Sequence, residues 1–162
     1  MDLDNFLGNS KLRFGFDSWP RRAESLAPSN IRAFALNPDA LVGSWLFDQR
    51  QAHANGGYSD YFHRSDNPRQ RAMAHVSTHQ SHAEALVALL QNLTTSMAPA
   101  LPRLDERGIN LGDVGFCGYG ENIVSLVFVR HHILSDIRSI GDVPVSVVDL
   151  ARQIDDQIQI SV

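Results

Sequence analysis

The sequence predicts an α+β fold: an antiparallel sheet built from two β-hairpins, each followed by an amphipathic helix packed on one face. The segment Ile123–Arg130 is rich in β-branched and aromatic residues and too short for a lone buried helix, which favours a strand. It forms one predicted pair of strands with Ile133–Ile140, and Tyr58–Arg64 forms the other with Arg71–Thr78, from which it is separated by turn-forming residues. Each pair precedes a Ser that is followed three residues later by an acid, a pattern typical of a helix start. Apolar residues at helical spacing then follow, so each hairpin has a helix to cover it.

The first unit is predicted over residues 57–93. Ser81 and Glu84 form a capping box that opens its helix. On its second strand, alternation places His75 and its odd-numbered neighbours on one face and small or β-branched residues on the other. The predicted segments are the strands Tyr58–Arg64 and Arg71–Thr78, a turn at 65–69 and a helix from Ser81 to Leu93.

The second unit is predicted over residues 112–160. Its hairpin turns at His131-His132, a pair that is unusual because two-residue hairpin turns favour Asn-Gly or Asp-Gly. This turn sets a register in which Leu126 lies opposite Ile137. The predicted segments are a short strand Gly112–Phe116, the hairpin strands Ile123–Arg130 and Ile133–Ile140, and a helix from Ser146 to about Ile160.

The two units follow the same order at one fixed offset, which predicts a ββα pseudo-repeat. Residue identity between the halves is poor, so structural equivalence is a stronger claim than gene duplication. The aligned pairs are Tyr58 with Ile123, Ser81 with Ser146, and Glu84 with Asp149.

The N-terminal part, residues 1–50, is predicted to be irregular or helical. Lys11–Phe16 alternates at period two and predicts a short strand. Asn37 followed by Pro38 predicts a helix start, with a strand after Gly43. The polar stretch Gln49–Gly57 predicts a loop.

Length and charge restrict the classes of protein. A chain of 162 residues fits one domain, and a net charge of −4 argues against a nucleic-acid partner. Cys117 is the single cysteine, which excludes an intrachain disulfide. No apolar run reaches the ~18 residues of a membrane span, so no transmembrane segment is expected.

The motif order in the C-terminal third is similar to that of small α+β modules in bacterial envelope proteins and lipoproteins. The resemblance implies an exported sensor or binding module, periplasmic or in the cell envelope rather than cytoplasmic, and carries no catalytic residue across. The segments that carry it are Gly112–Phe116, Val127–His131, Ile133–Ile140 and Val148–Ala151.

Three histidines and the cysteine are the candidates for chemistry. His75, His79 and His82 would present three imidazoles to a metal if they lay on one helix. The capping box at Ser81 leaves His75 and His79 on a strand, so we expect no metal site. Cys117 would need a nearby histidine to act as a nucleophile, and a buried small hydrophobe is the commoner role.

A group of aromatic and histidine side chains near the predicted loop is a candidate ligand surface, although Trp45 also fits the core. We therefore predict a non-catalytic binding or protein-interaction module that uses the Gln49–Tyr61 loop and an exposed sheet face. It needs no cofactor; its partner is an unidentified protein or small molecule, and a homodimer stays open. The alternatives are a small hydrolase or metal-dependent enzyme and an immunity or inhibitor protein. The candidate ligand residues are Trp45, Tyr58, Tyr61, His63 and Tyr119.

Overall fold

A computed structural model describes residues 3–23, 33–54, 56–95 and 101–161. These residues form an α+β structure around one antiparallel sheet of six strands, as the sequence predicts in outline. Along the chain the helices and strands are α1 Leu3–Phe14, β1 Trp45–Ala52, β2 Tyr58–Arg64, β3 Arg71–Thr78, α2 His82–Thr94, β4 Val114–Cys117, β5 Ser125–Arg130, β6 Ile133–Ser139 and α3 Val148–Ser161.

The sheet consists of two three-stranded meanders that meet in its middle. The strand order is β1-β2-β3-β6-β5-β4, so β3 and β6 are the central pair. The predicted hairpins are β2–β3 and β5–β6, and each gains one further strand, β1 or β4. The two edges of the sheet are therefore β1 and β4. Residues 102–104 form backbone hydrogen bonds with β4, in which Leu104 N is the donor on one side and Cys117 N on the other.

The β5–β6 hairpin has the register that the sequence predicts. Leu126 lies opposite Ile137 and Val127 opposite Asp136, across a turn at His131-His132. Among the described non-glycine residues, His131 is alone in having a positive φ, at 55°. The Asp113 carboxylate accepts a hydrogen bond from the His131 backbone N–H at 2.8 Å, which helps to hold this unusual turn.

The two long helices lie on opposite faces of the sheet, so the prediction that both pack on one face is wrong. Helix α3 packs on the face of Leu126 and Phe128, whereas α2 packs on the face of Val127 and Val129. Every residue from Leu126 to Val129 is buried. A strand that is apolar on both faces needs a cover on each side, which explains the continuous apolar run in β5.

The placement of α2 and α3 on opposite faces of the sheet is also relevant to the predicted ββα pseudo-repeat. A two-fold axis normal to the sheet between β3 and β6 would place α2 and α3 on the same face. The structure shows strands and helix in the same order in each half but does not confirm an equivalent arrangement. The duplication stays a prediction.

The helix starts follow the predicted signals closely. The Ser81 hydroxyl accepts from Glu84 N at 3.1 Å, and the Glu84 carboxylate accepts from Gln80 N at 3.1 Å. Helix α2 accordingly begins at His82. Helix α3 begins at Val148, slightly later than the Ser146 N-cap would place it.

The N-terminal part differs from the prediction in two places. Lys11–Phe16 is not a strand, because α1 continues to Phe14 and a short 3₁₀ turn follows. The predicted loop Gln49–Gly57 is strand β1 as far as Ala52, and Asn37 caps only the 3₁₀ turn Pro38–Ala40. None of the helices described is both long and apolar enough to cross a membrane.

Candidate functional site

Half of one sheet face has no described helix packed over it. Helix α2 packs on β5 and β6, and α1 packs on α2, so both lie over the β4–β6 half. On the β1–β3 half the same face carries side chains that are mostly only partly buried. We call this surface the open face, and it is formed by Leu46, Gln49, Gln51, His53, Ser59, Tyr61, His63, Met73, His75 and Ser77.

The reverse side of these three strands is closed by the chain itself. Phe62, Ala72 and Ala74 are fully buried there. The segment at 33–41 crosses this side and is tied down by hydrogen bonds from Phe34 N to Thr78 Oγ1 and from Leu36 N to the Tyr58 hydroxyl, both at 3.0 Å. Among the described residues, the first half of the sheet is thus covered on one face and open on the other.

Two histidines meet at one serine on the open face, close to the connection between β1 and β2. His53 Nε2 lies 2.8 Å and His75 Nδ1 3.2 Å from the Ser59 Oγ. The two ring centroids are 5.1 Å apart. Because a hydroxyl has one proton, Ser59 donates to one imidazole and accepts from the other, so the two rings have opposite hydrogen-bonding roles.

The surroundings of His75 disfavour its protonated form. Burial lowers its pKa from the ordinary value of 6.5, and the nearby His53 and Arg138 lower it further, whereas Asp136 acts in the opposite direction. Asp136 lies directly opposite His75 on β6. Its carboxylate accepts hydrogen bonds from Arg138 Nη2 at 2.8 Å and Asn92 Nδ2 at 3.0 Å. The negative charge of Asp136 is therefore already balanced by the Arg138 guanidinium.

Stability should fall as the solution is acidified from pH 7.5 to 5.5. Burial lowers the pKa of four histidines below 6.5, so between the folded pKa and 6.5 the unfolded chain binds more protons. The stability that these histidines contribute is complete above pH 6.5 and is lost as the pH falls below it. Urea unfolding at pH 7.5, 6.5 and 5.5 measures this loss. The four are His75, His79, His131 and His132.

The variant His75→Gln tests how much His75 alone contributes to this pH dependence of stability. Its stability should depend less steeply on pH across this window than that of the wild type. An equally steep profile would show that His75 contributes nothing.

Asp113 does not interfere: burial acts to raise its pKa, but Arg22 and the His131 N–H outweigh this and lower it below 3.8. Its contribution to stability is therefore lost only at more acidic pH.

A cleft of about 520 Å³ lies beside the open face, between the C-terminal end of α2 and the ends of β4, β5 and β6. Leu93, Phe116 and Val127 give it an apolar side, and Asn92 and Arg138 give it a polar one. Arg138 forms part of the boundary with the open face, because its Cα partner on β3 is Met73. The cleft and the open face therefore adjoin at Arg138.

The structure does not bring the five predicted ligand residues together. Trp45 and Tyr58 are 2% and 8% exposed and belong to the core on the opposite face. Tyr61 and His63 lie on the open face, where His63 Nδ1 is 2.6 Å from Asp48 Oδ1. Tyr119 is exposed in the bend after β4. Two of the five thus share a surface with the His53–Ser59–His75 cluster.

The three histidines considered for metal binding have separate partners. His75 bonds to Ser59, and His79 Nε2 lies 2.9 Å from the Ser77 Oγ. His82 is buried at the start of α2, with its Nδ1 against the His131 carbonyl. Within the described residues, no group of three or more His, Cys, Asp or Glu side chains is placed to hold a metal ion.

Cys117 has the environment of a structural thiol. It is buried in the core, and burial raises the pKa of the thiol; Arg107, 4.0 Å from the Sγ, offsets only part of this effect. A protonated thiol is a poor nucleophile. Burial therefore disfavours the thiolate of Cys117, which is the nucleophilic form.

The sequence alone did not identify two members of the histidine cluster. Ser59 carried no special signal, although alternation along β2 places it on the same face as Tyr61 and His63. His53 lay inside the predicted loop, and its position depends on β1 extending to Ala52. The pairing of His53 with His75 arises only when β1, β2 and β3 lie side by side.

The chain matches no protein-family model, and no curated protein or solved structure is significantly similar to it. The resemblance to bacterial envelope modules accordingly stays a prediction. Any functional assignment has to rest on the geometry of the open face, the histidine cluster and the cleft.

Proposed function

We propose that the protein is a non-catalytic interaction module whose partner protein docks on the open face. The observation that supports this most is the unequal cover of the first three strands. On one face these strands are covered by the 33–41 segment. On the opposite face α2 lies over β5 and β6, so no described helix covers the first three strands there. A half-covered sheet next to a cleft provides a broad surface for another chain.

A protein is a better fit to this surface than a small molecule. The open face is broad, and small-molecule sites are mostly enclosed concave pockets. Its side chains include Tyr61 and Met73, with Arg138 beside them, and these residue types are enriched in protein interfaces. The adjoining cleft has the size and apolar side to take one anchoring side chain of the partner.

The chemistry at the surface also favours binding over catalysis. Ser59 is 4% exposed and lies against the two imidazoles, which leaves its hydroxyl little access to a substrate. Within the described part of the chain, no carboxylate is hydrogen-bonded to His53 or His75, as a serine nucleophile with a histidine base would require. The cluster can organise hydrogen bonds but lacks the parts of a hydrolase.

Affinity capture from an extract of the producing organism tests the proposal. Tyr61→Arg puts a bulky charge on the open face, and Ile160→Arg makes a comparable change at a site on α3 that is 85% exposed. We expect a protein that is retained by the wild type and by Ile160→Arg but is lost, by at least about tenfold, with Tyr61→Arg.

The readout is decisive only if the variants are folded. Circular dichroism and melting temperature should be close to wild type for both, because each substitution is at a partly or fully exposed side chain. Equal retention by Tyr61→Arg and the wild type would contradict the proposal. So would the absence of any protein that the wild type retains and Tyr61→Arg does not.

A further inference from the structure

Residues 33–42, which we call the strap, cross the side of the sheet opposite to the open face. They contact β1–β3 and α3 but belong to none of the six strands. Phe34 and Leu36 are buried in the core there, at 7% and 3% exposed, whereas the residue on either side of each is exposed. This alternation is that of an extended peptide that places every second side chain in a pocket.

Two glutamines of α3 hold the strap by its backbone. The Gln157 amide accepts from Asn37 N at 2.8 Å and donates to the Asn37 carbonyl at 3.1 Å. Gln153, one turn earlier, accepts from Val42 N at 2.8 Å and donates to the Val42 carbonyl at 3.0 Å. Each side-chain amide thus bonds to both backbone polar groups of one strap residue, whatever the side chain of that residue.

Three side chains of the sheet bond to the strap backbone in the same way. Thr78 Oγ1 accepts from Phe34 N, the Tyr58 hydroxyl accepts from Leu36 N, and Arg50 Nη2 donates to the Leu36 carbonyl at 2.8 Å. Together with the glutamine contacts this makes seven hydrogen bonds to main-chain atoms. Backbone bonds with pockets for alternate side chains are the means by which peptide-binding domains recognise extended ligands.

We propose that the groove between α3 and β1–β3 is a docking site for an extended segment of a partner protein, with an aromatic residue and a leucine two positions apart. The strap occupies this groove as an intramolecular competitor. It can leave without breaking a strand pair, because side chains make its bonds to the sheet. Gly43 follows it with a φ of 86° and no atom within 4 Å of an added Cβ, which provides a hinge in open space.

Competition by the strap determines the affinity for a segment from another chain. A tethered ligand acts at an effective concentration on the order of millimolar, so the wild type should bind a free segment only weakly. A variant with a weaker strap should bind it more tightly. The groove and the open face lie on opposite sides of the sheet, so this docking does not depend on the proposed role of the open face.

Fluorescence anisotropy with a fluorescein-labelled synthetic peptide of residues 33–42 tests the groove. Leu36→Ala in the full chain weakens the strap but leaves the side chains that bond to it unchanged, so the peptide should bind this variant at least about tenfold more tightly than the wild type. Leu93→Ala is the matched control. Leu93 is similarly buried, at 1% exposed, but lies in the core under α2, so binding should stay as weak as in the wild type. The peptide carrying Phe34→Ser and Leu36→Ser should not bind.

Hydrogen exchange of the wild type keeps the proposal testable if Leu36→Ala folds poorly. The N–H groups of Leu36 and Asn37 should have protection factors at least about tenfold lower than those of Ala74 and Val76 in β3, because the strap opens while the sheet stays formed. Equal protection of the strap and β3 would overturn the proposal.

Three results of the binding experiment would also overturn it. They are no binding to folded Leu36→Ala, equal binding to Leu36→Ala and Leu93→Ala, and a wild-type dimer that Leu36→Ala dissociates, which would place the strap of a second copy in the groove. Tyr61→Arg in the Leu36→Ala background should leave peptide binding unchanged, so failure of the groove and failure of the open face are recognised separately.

Discussion

Replacing Arg130 by Met is expected to destabilise the protein by about 3–5 kcal/mol, because it leaves a buried carboxylate without its cation. The Arg130 guanidinium donates to both oxygens of Asp155, from Nε and Nη2, each at 2.8 Å. The side chains of Arg130 and Asp155 are only 15% and 4% exposed. This pair joins the end of β5 to α3, so its loss weakens the contact between the sheet and that helix.

A double-mutant cycle measured by urea unfolding at pH 7 tests this coupling. In the double variant Arg130→Met with Asp155→Asn the uncompensated charge is gone, and the Asn oxygen can still accept from Gly112 N as Asp155 does at 3.1 Å. We expect it to be more stable than Arg130→Met alone. Arg152→Met, on the exposed side of α3, should change stability by no more than about 0.5 kcal/mol. A loss below about 1 kcal/mol in Arg130→Met would contradict the expectation.

Gly141→Ala is expected to cost about 2–3 kcal/mol, because it forces two backbone segments apart. A Cβ at Gly141 would lie 2.1 Å from the Arg69 carbonyl oxygen and 2.8 Å from Arg71 N. These are main-chain atoms, so no rotation of a side chain relieves the contact. Ile140 N donates to the Arg71 carbonyl at 2.9 Å, which fixes the segment after β6 against the start of β3.

Gly118→Ala is the matched control for this substitution. The added Cβ would meet the Ser125 Oγ at 3.5 Å, an ordinary van der Waals distance, and we expect a change within about 0.5 kcal/mol. Thermal unfolding of the two variants gives the comparison. Equal melting temperatures for Gly141→Ala and Gly118→Ala would show that the close approach at Gly141 relaxes without cost.

The elements predicted well are those defined by neighbouring residues. The β5–β6 register follows from the length of the His131-His132 turn, and alternation fixes which residues pair once the turn is known. The start of α2 follows from the local hydrogen bond between the Ser81 hydroxyl and Glu84 N. Information of this kind is present within a few residues of sequence.

The features that were missed depend on distant parts of the chain. That α2 covers the face of Val127, opposite to α3, cannot be read from β5 alone, because Val127 and Phe128 are both buried. Strand β1 was missed in part because it is an edge strand with mostly exposed polar residues and resembles a loop in composition. The same holds for the candidate site. An exposed sheet face was expected from the sequence, whereas the contact of His53 and His75 with Ser59 could be recognised only from the arrangement of the strands.

The central β3–β6 pairing has a consequence for how the chain reaches its native state. Thr78 and Ile133, the paired residues of these strands that are closest in sequence, are separated by α2, a connection and two further strands. Closing so long a segment loses chain entropy before any ladder bond between the halves is made. The meanders can form locally, so we expect their joining to be the slow step of folding. During synthesis the sheet can be completed only after β6 has left the ribosome.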